Sequence, residues 1–595
     1  MKLLKNIKKI LANLSLSLKR FPLTISFSTA TTIVLIILVN YHSTFNTNTI
    51  NILKRIAMCL SLGFPIFLSF NLLFERFNNY KIIEKRCIQM GGGVFLILYY
   101  FFLLEELYMV TITRYVAINL FFYLTALIVH YFYKRDNYVL YIGHIFTRFL
   151  VSVIYSAVLY VGLAATLFTL NKLLGLPVSS ELYLTVWLTV AGVFAPIFLL
   201  AGVPGYSHNF DLKGYSVFLK ILLLYIVLPL ITVYTIILYL YFLKIIITWQ
   251  WPQGLVAHLV LWYSVISLIV IFFTSPFNKK NNWVKTFSTW FPKTILPLLV
   301  MMFFAIGIRI SEYGVTENRY FVVLLGVWVF GIMMYYNLVR EKRNIIIPLS
   351  LAIITVISVF GPWSAFSVSI NSQNKRFEDI LSRNNMIKEE RIIKRESPIP
   401  KEDKKEIGAI LSYFKNNHSL QELKYLPSDF TTRKMEETFG FQYQLKREID
   451  FQHFSYELYN TRIPVEIRDY DYFLEITSTS TPGYHPKEEK IVLRQDKNIR
   501  VKYNDNSFVF DIYEKDNKLY SRSLQTNFLK MLRKIKNKKE AESAILPEDY
   551  TIVEENKDVR IKILVKNVTG GIGKTDEKNI NFNRIKFNVF IKVKK

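Results

Sequence analysis

Eleven apolar stretches follow one another between Phe21 and Trp363, at about 21–40, 56–74, 87–104, 115–133, 149–170, 184–203, 221–243, 255–275, 292–308, 320–339 and 344–362. Each is close to the roughly 20 residues that a helix needs to cross about 30 Å of hydrocarbon. In lipid the backbone must satisfy its own N–H and C=O groups, so residues 21–363 are expected to form an α-helical polytopic membrane bundle of about 11 transmembrane helices. Residues 138–147 can add a short interfacial helix before the fifth span. Composition agrees only if the chain is divided: a mean hydropathy of +0.27 accompanies a formal charge of +28. A nucleic-acid binder draws such charge from a polar surface, so nucleic acid is not the expected partner. An aromatic content of 15% likewise excludes a disordered basic chain.

Charge sets the expected orientation, because Lys and Arg in short loops stay on the cytoplasmic side. With the N-terminus inside, the inner segments carry 22 Lys and Arg and the outer loops 7. Eleven spans then leave everything after Trp363 extracytoplasmic. Residues 1–20 interleave Leu3, Leu4, Ile7, Ile10, Leu11, Leu14 and Leu18 with Lys2, Lys5, Lys8 and Lys9. That pattern suits a basic amphipathic helix lying on anionic lipids of the inner leaflet. The following apolar run is a full span, and Asn40-Tyr41-His42 is no small-residue cleavage site, so it reads as a retained anchor.

No Asp, Glu, Lys or Arg falls in the middle of any stretch, which argues against a carrier with acids at bilayer depth. The polar groups that remain, Asn71, Asn119, His258, Asn337 and the tyrosines Tyr225, Tyr234, Tyr239 and Tyr241, read as interhelical hydrogen bonds or interface anchors in preference to ligand contacts. Pro65, Pro196, Pro229, Pro297 and Pro348 interrupt or flank spans. Interrupted helices can line transport sites, but proline is also common in membrane helices for packing reasons.

Two connections are dense in special residues: the inner one from Val203 to Asp211, and the outer one containing Arg309, Glu312, Tyr313, Gly314, Thr316, Glu317, Arg319 and Tyr320. In the outer one, two arginines bracket two glutamates within a short turn at the membrane surface. Mutual pairing as a structural clamp is the expected role, with a substrate site as the alternative.

These residues carry a resemblance. The run Tyr225, Pro229, Leu230, Tyr234, Leu238, Tyr239, Tyr241, Lys244, Trp251-Pro252 and Gly254 is followed by Arg309, Tyr313-Gly314, Thr316-Glu317 and Arg319-Tyr320. Together with Lys19-Arg20-Phe21-Pro22-Leu23-Thr24 and Gly361-Pro362-Trp363-Ser364-Ala365-Phe366-Ser367, it resembles an uncharacterised bacterial multi-pass membrane family, the domain of unknown function numbered four-one-five-three. The likeness covers most of residues 1–370. It implies a bacterial inner-membrane protein and supplies no activity, cofactor or catalytic residue.

After Trp363 the composition changes to 44 Lys and Arg against 35 Asp and Glu in 232 residues. Residues 364–400 read as a helical linker broken at Pro398-Ile399-Pro400, and 401–595 as an extracytoplasmic α+β domain. In it an amphipathic helix (Ile407, Ile410, Leu411, Phe414) precedes period-two strands around Tyr472 and Leu474, Phe508 and Phe510, Val559 to Ile563, and Ile585 to Val593, with a basic helix over 521–546. Both cysteines, Cys59 and Cys87, precede this region, so it holds no disulfide. Gly570-Gly571-Ile572-Gly573-Lys574-Thr575 ends like a phosphate loop, but Val568 stands where the pattern needs glycine and a strand follows, so a hairpin is expected. Asp469 and Asp471 read as a solvated strand face before a cation site, and His418, His453 and His485 are too scattered for zinc. With no nucleophile motif, cofactor or metal signature, the expected function is an envelope scaffold, sensor or partner-binding protein with an envelope protein partner. The alternatives are a permease or lipid-handling transporter, and an enzyme on a lipid-linked substrate.

Overall fold

A computed structural model describes residues 14–42, 44–77, 79–105, 107–131, 137–206, 210–211, 215–249, 255–278, 280–389, 391–394, 399–441, 451–457, 466–479, 499–504, 508–515, 517–540, 546–573 and 580–594. Most of the amphipathic N-terminal segment, the end of the expected basic helix, His485, Lys574-Thr575 and Trp251-Pro252 lie outside them. The chain divides into two compact units, Met1–Tyr443 and Gln444–Lys595.

In the first unit, nine helices among the described residues are long and apolar enough to cross a membrane: Pro22–Tyr41, Thr47–Arg76, Met109–Val129, Tyr138–Leu174, Ser180–Ala201, Val217–Thr248, Val256–Phe277, Asn282–Tyr313 and Glu317–Leu338. The other two expected stretches fall short of that measure for visible reasons. Helix Ile82–Phe102 opens with Glu84, Lys85 and Arg86, and Ile346–Ile357 has only 12 residues. Both nevertheless run the length of a spanning neighbour. Lys85 lies over the Phe74 ring while Arg55 donates to the Tyr100 carbonyl, so Ile82–Phe102 follows Thr47–Arg76 end to end. The Tyr336 hydroxyl bonds Asn344 Oδ1 and the Tyr320 hydroxyl bonds the Trp363 carbonyl, so residues 344–363 follow Glu317–Leu338 from one end to the other. Residues 138–147 continue into the spanning Tyr138–Leu174 helix without a break.

Proline shapes two spans through its missing N–H. Val190–Phe194 and Leu222–Val227 are π-helical, and Pro196 and Pro229 follow just after. Proline at i cannot donate to the carbonyl of i−4 and its ring crowds that group, so the helix widens locally. The carbonyl that Pro196 leaves unpaired, that of Gly192, accepts instead from the Ser28 hydroxyl at 2.6 Å. Gly192 permits this approach, because a Cβ there would lie 2.1 Å from Thr32 Oγ1.

The later spans enclose a continuous apolar core that includes Leu228, Ile271, Ile295, Leu298, Met302 and Met333, all fully buried. Tyr239 donates to the Thr294 carbonyl, and Asn71 to Thr24, linking helices; Asn119 and Asn337 bond the carbonyls four residues before them. After the last span, helix Ala365–Arg383, the two-residue strands β1 (Ile387–Lys388) and β2 (Arg391–Ile392), and helix Lys401–Asn417 form a separate core around Phe377, Leu381, Ile407, Leu411, Phe414 and Phe439. The expected face Ile407, Ile410, Leu411 and Phe414 is the buried one.

The second unit is β-rich. Strands β3 (Phe451–Glu457), β4 (Tyr472–Thr479), β8 (Thr551–Glu555), β9 (Val559–Gly573) and β10 (Ile580–Val593) make one antiparallel sheet, while β5 (Ile499–Asn504), β6 (Val509–Glu514) and β7 (Asn517–Ser523) make a meander. The 15-residue β9 pairs along one edge with β10 and along the other first with β8 and then with β3. Helix Gln525–Glu540 contributes Phe528, Leu532 and Ile535 to a core shared with Val501, Phe510, Val565 and Phe587. Gly570 to Gly573 lie in β9 opposite β10, within a hairpin.

Candidate functional site

The connection Arg309–Tyr320 turns between Asn282–Tyr313 and Glu317–Leu338. Gly314 makes the turn possible, with φ +68° and ψ 178°, a region that L side chains avoid. A Cβ there would also come within 2.8 Å of Gln373 Nε2. Backbone groups exposed by the turn are taken up by the helix that follows the last span. Gln373 donates to the carbonyls of Tyr313 (3.0 Å) and Val315 (2.9 Å), and the Val315 N–H donates to Ser372 Oγ (2.8 Å).

The mutual Arg–Glu pairing expected within this loop is not formed. Arg319 donates to the carbonyls of Tyr313 and Gly314, and its guanidinium lies over the Tyr313 ring, which Arg376 approaches as well. Arg309 and Glu312 make no ion pair among the described residues, and Glu312 is exposed. Thr316 is the N-cap residue of Glu317–Leu338, and Tyr320 is tied to Trp363. Glu317 points the other way, into the protein. Its Oε1 accepts from the Tyr413 hydroxyl and meets His418 Nε2, each at 2.5 Å, while Tyr413 and His418 lie 3.1 Å apart. The His418 side chain is 1% exposed and that of Glu317 7%, while Tyr413 is half-buried and the exposed Glu422 carboxylate lies 3.8 Å from His418 Nδ1. Burial, reinforced by the adjacent Glu317 carboxylate, pushes the Tyr413 phenol above its ordinary range. The arrangement holds a carboxylate, an imidazole and a phenol within hydrogen-bonding reach of one another. Nearby, Asp403 accepts from Asn384 at 2.6 Å and pairs with Arg383. Burial acts to raise its carboxyl, but these two partners outweigh it and hold it below the usual range.

A second polar cluster, at the opposite ends of the spans, was not visible in the sequence. Arg20 grips Glu75 through two hydrogen bonds of 2.6 and 2.7 Å and donates to the carbonyls of Val203 and Pro204. His130, 1% exposed, lies 3.5 Å from Glu75 and 3.2 Å from the Tyr141 hydroxyl. Arg76 reaches the Tyr206 hydroxyl at 3.1 Å. The clue available in advance was an acid, Glu75, and a base, Arg20, each at one end of an apolar stretch.

Among the described residues no group of three or more His, Cys, Asp or Glu could hold a metal. Asp471 is engaged by Lys592 and the Val593 N–H.

The sequence model of a family described as "Domain of unknown function (DUF4153)" matches residues 30–381. A Pasteurella multocida (strain Pm70) protein named "Uncharacterized protein PM1469" is 25% identical over 207 residues, 34% of this chain and 34% of that protein. The chain thus matches about a third of the length of this curated relative. No solved structure matches. The helical bundle, the turn at Tyr313-Gly314 and the family match over more than half of the chain together make this protein a member of the DUF4153 family.

Proposed function

We propose that this chain is a bacterial cytoplasmic-membrane protein of about eleven spans, with its N-terminus cytoplasmic. In this reading it holds its C-terminal region outside the membrane as a scaffold, sensor or binding partner for another envelope protein. The observation that carries the reading is the clasp of Gln373, Tyr413 and His418 on the 313–317 turn. It ties the segment after the last span to the same face as an expected outer loop, as an eleven-span path requires. The end-to-end courses of Ile82–Phe102 and residues 344–363 support the same count. The apolar core of the later spans supports a scaffold over a solute permease, because a solute path needs polar groups at depth. The basic inner segments would rest on anionic lipid, and nucleic acid has no part in the reading.

Alkaline phosphatase fused after Lys595 should be active, and green fluorescent protein at the same position dark; the reverse pattern overturns the orientation. Membrane-impermeant crosslinking of intact cells should join the chain to an envelope protein in fixed ratio. A purified chain that instead accelerates solute flux in proteoliposomes would move the assignment to a permease.

A further inference from the structure

Arg309, Arg319 and Arg376 gather at the turn between Asn282–Tyr313 and Glu317–Leu338, two helices long and apolar enough to span a membrane. Arg319 and Arg376 both donate to the Tyr313 carbonyl, and their guanidinium carbons lie 5.6 and 5.7 Å from the centroid of the Tyr313 ring. Arg309 precedes Tyr313 by one helical turn, which puts the two on one face of their helix. Its charge is near enough to repel that of Arg319, as is the charge of Arg376. The cluster thus draws on the helix before the turn, the helix after it and Ala365–Arg383.

Like charges held together cost free energy unless an anion lies among them. The acids close by in sequence do not supply it. Glu317 turns inward to Tyr413 and His418, and Glu312 is exposed and forms no ion pair among the described residues. Glu406 pairs with Arg376 at 3.4 Å and is shared with Arg383, so three arginines against this one carboxylate leave an excess of two positive charges. Donors are in excess as well. Arg319 spends Nη1 on the Tyr313 and Gly314 carbonyls, which leaves its Nε and Nη2, and Arg309 has no hydrogen-bond partner among the described residues.

A guanidinium is a planar fork that meets phosphate oxygens in pairs, and the carbonyl contacts and the Tyr313 ring already orient two of these forks. That orientation removes part of the ordering cost of binding. A phosphate monoester carries about −1.5 to −2 charges at neutral pH, which matches the excess, whereas a diester carries a single charge.

We propose that Arg309, Arg319 and Arg376 bind a phosphate monoester at this turn, carried by a membrane lipid or by a soluble compound. The inference does not rest on the scaffold reading or on which side of the membrane the turn faces, since the arginines recognise the phosphate group alone.

The test uses the full-length chain in detergent at neutral pH. In one arm it is offered dioleoyl phosphatidic acid or dioleoyl phosphatidylglycerol, and retained lipid is counted by native mass spectrometry. In the other, glycerol 3-phosphate or dimethyl phosphate is titrated in by calorimetry. The monoester should be preferred over the diester by roughly fivefold or more. Arg309→Gln, which removes no contact to the turn, should weaken monoester binding by roughly tenfold, the worth of one hydrogen bond to a charged group. Arg309→Lys should recover part of that loss, because it restores the charge without the fork. Binding confined to phosphatidic acid supports the site with a lipid source, and binding of glycerol 3-phosphate supports it with a soluble one. Absence of monoester binding in both arms, or unchanged binding in an Arg309→Gln chain that melts as the wild type does, overturns the site. Equal binding of monoester and diester overturns the choice of ligand.

Discussion

Glu317 and His418 stand 101 residues apart in the chain and share a 2.5 Å hydrogen bond that neither exposes to water. One opens a membrane span and the other ends the helix Lys401–Asn417, so the bond fastens a post-membrane helix to the bundle.

Removing one partner leaves a buried polar group without compensation, which costs far more than losing both. His418→Ala should therefore lower stability by about 3 kcal/mol, and Glu317→Gln by less, because the amide can still meet Tyr413. Thermal unfolding of the detergent-solubilised chain, read together with proteolysis between 383 and 401, measures both. Equal melting of wild type and His418→Ala would remove the clasp from the account.

Gly314→Ala combines a disfavoured backbone region with a Cβ that meets Gln373. A loss of about 1–3 kcal/mol is expected, with the hydrogen bonds from Gln373 to Tyr313 and Val315 weakened. Gln373→Ala in the Gly314→Ala background should cost less than it does in the wild type, which a double-mutant cycle in thermal unfolding reads directly.

Ser28 and Pro196 are coupled through one carbonyl. Ser28→Ala strands the Gly192 oxygen in hydrocarbon and should cost about 0.6–1.7 kcal/mol. In the Pro196→Ala background a helical N–H can return to that carbonyl, so Ser28→Ala should then cost markedly less. Additive losses would refute the assignment of Ser28 to the carbonyl that proline frees.

In the second unit Asp549 accepts from Lys538 at 2.6 Å, Lys534 at 2.9 Å and the Leu546 N–H at 2.7 Å. The hydrogen bond from Lys538 leads in holding its carboxyl well below the ordinary range, against the opposing effect of burial. A depressed native pKa means that the unfolded chain takes up the proton first as pH falls. The stabilisation is thus fully present above the ordinary aspartate value of about 3.9 and fades below it. Asp549→Asn should melt lower than the wild type at pH 7, and the gap should narrow between about pH 4 and pH 2. A gap that stays constant across that range would refute the linkage.

Much of the membrane architecture was legible because its signal is local. A span declares itself by about 20 apolar residues in a row, and the turn at Tyr313-Gly314 by the charged and polar residues that interrupt two apolar stretches there. The strands of the second unit declared themselves by alternation, as Val559, Ile561 and Ile563, and Ile585, Phe587, Val589 and Ile591, are the buried set. The acidity of Glu317 was visible; its partner was not. An arginine two residues away was the nearest opposite charge, yet on a helix residues i and i+2 do not face each other, and the burial of Glu317 selected a partner from another element.

The amino-acid order by itself determined that this chain forms many helices apolar enough to cross a membrane and where its alternating strands lie, because hydropathy and backbone preference act within a few residues. Tertiary structure alone decided which carboxylate meets which base, which carbonyl Ser28 rescues and which arginines gather at Tyr313. Those outcomes depend on side chains from distant segments competing for the same buried space.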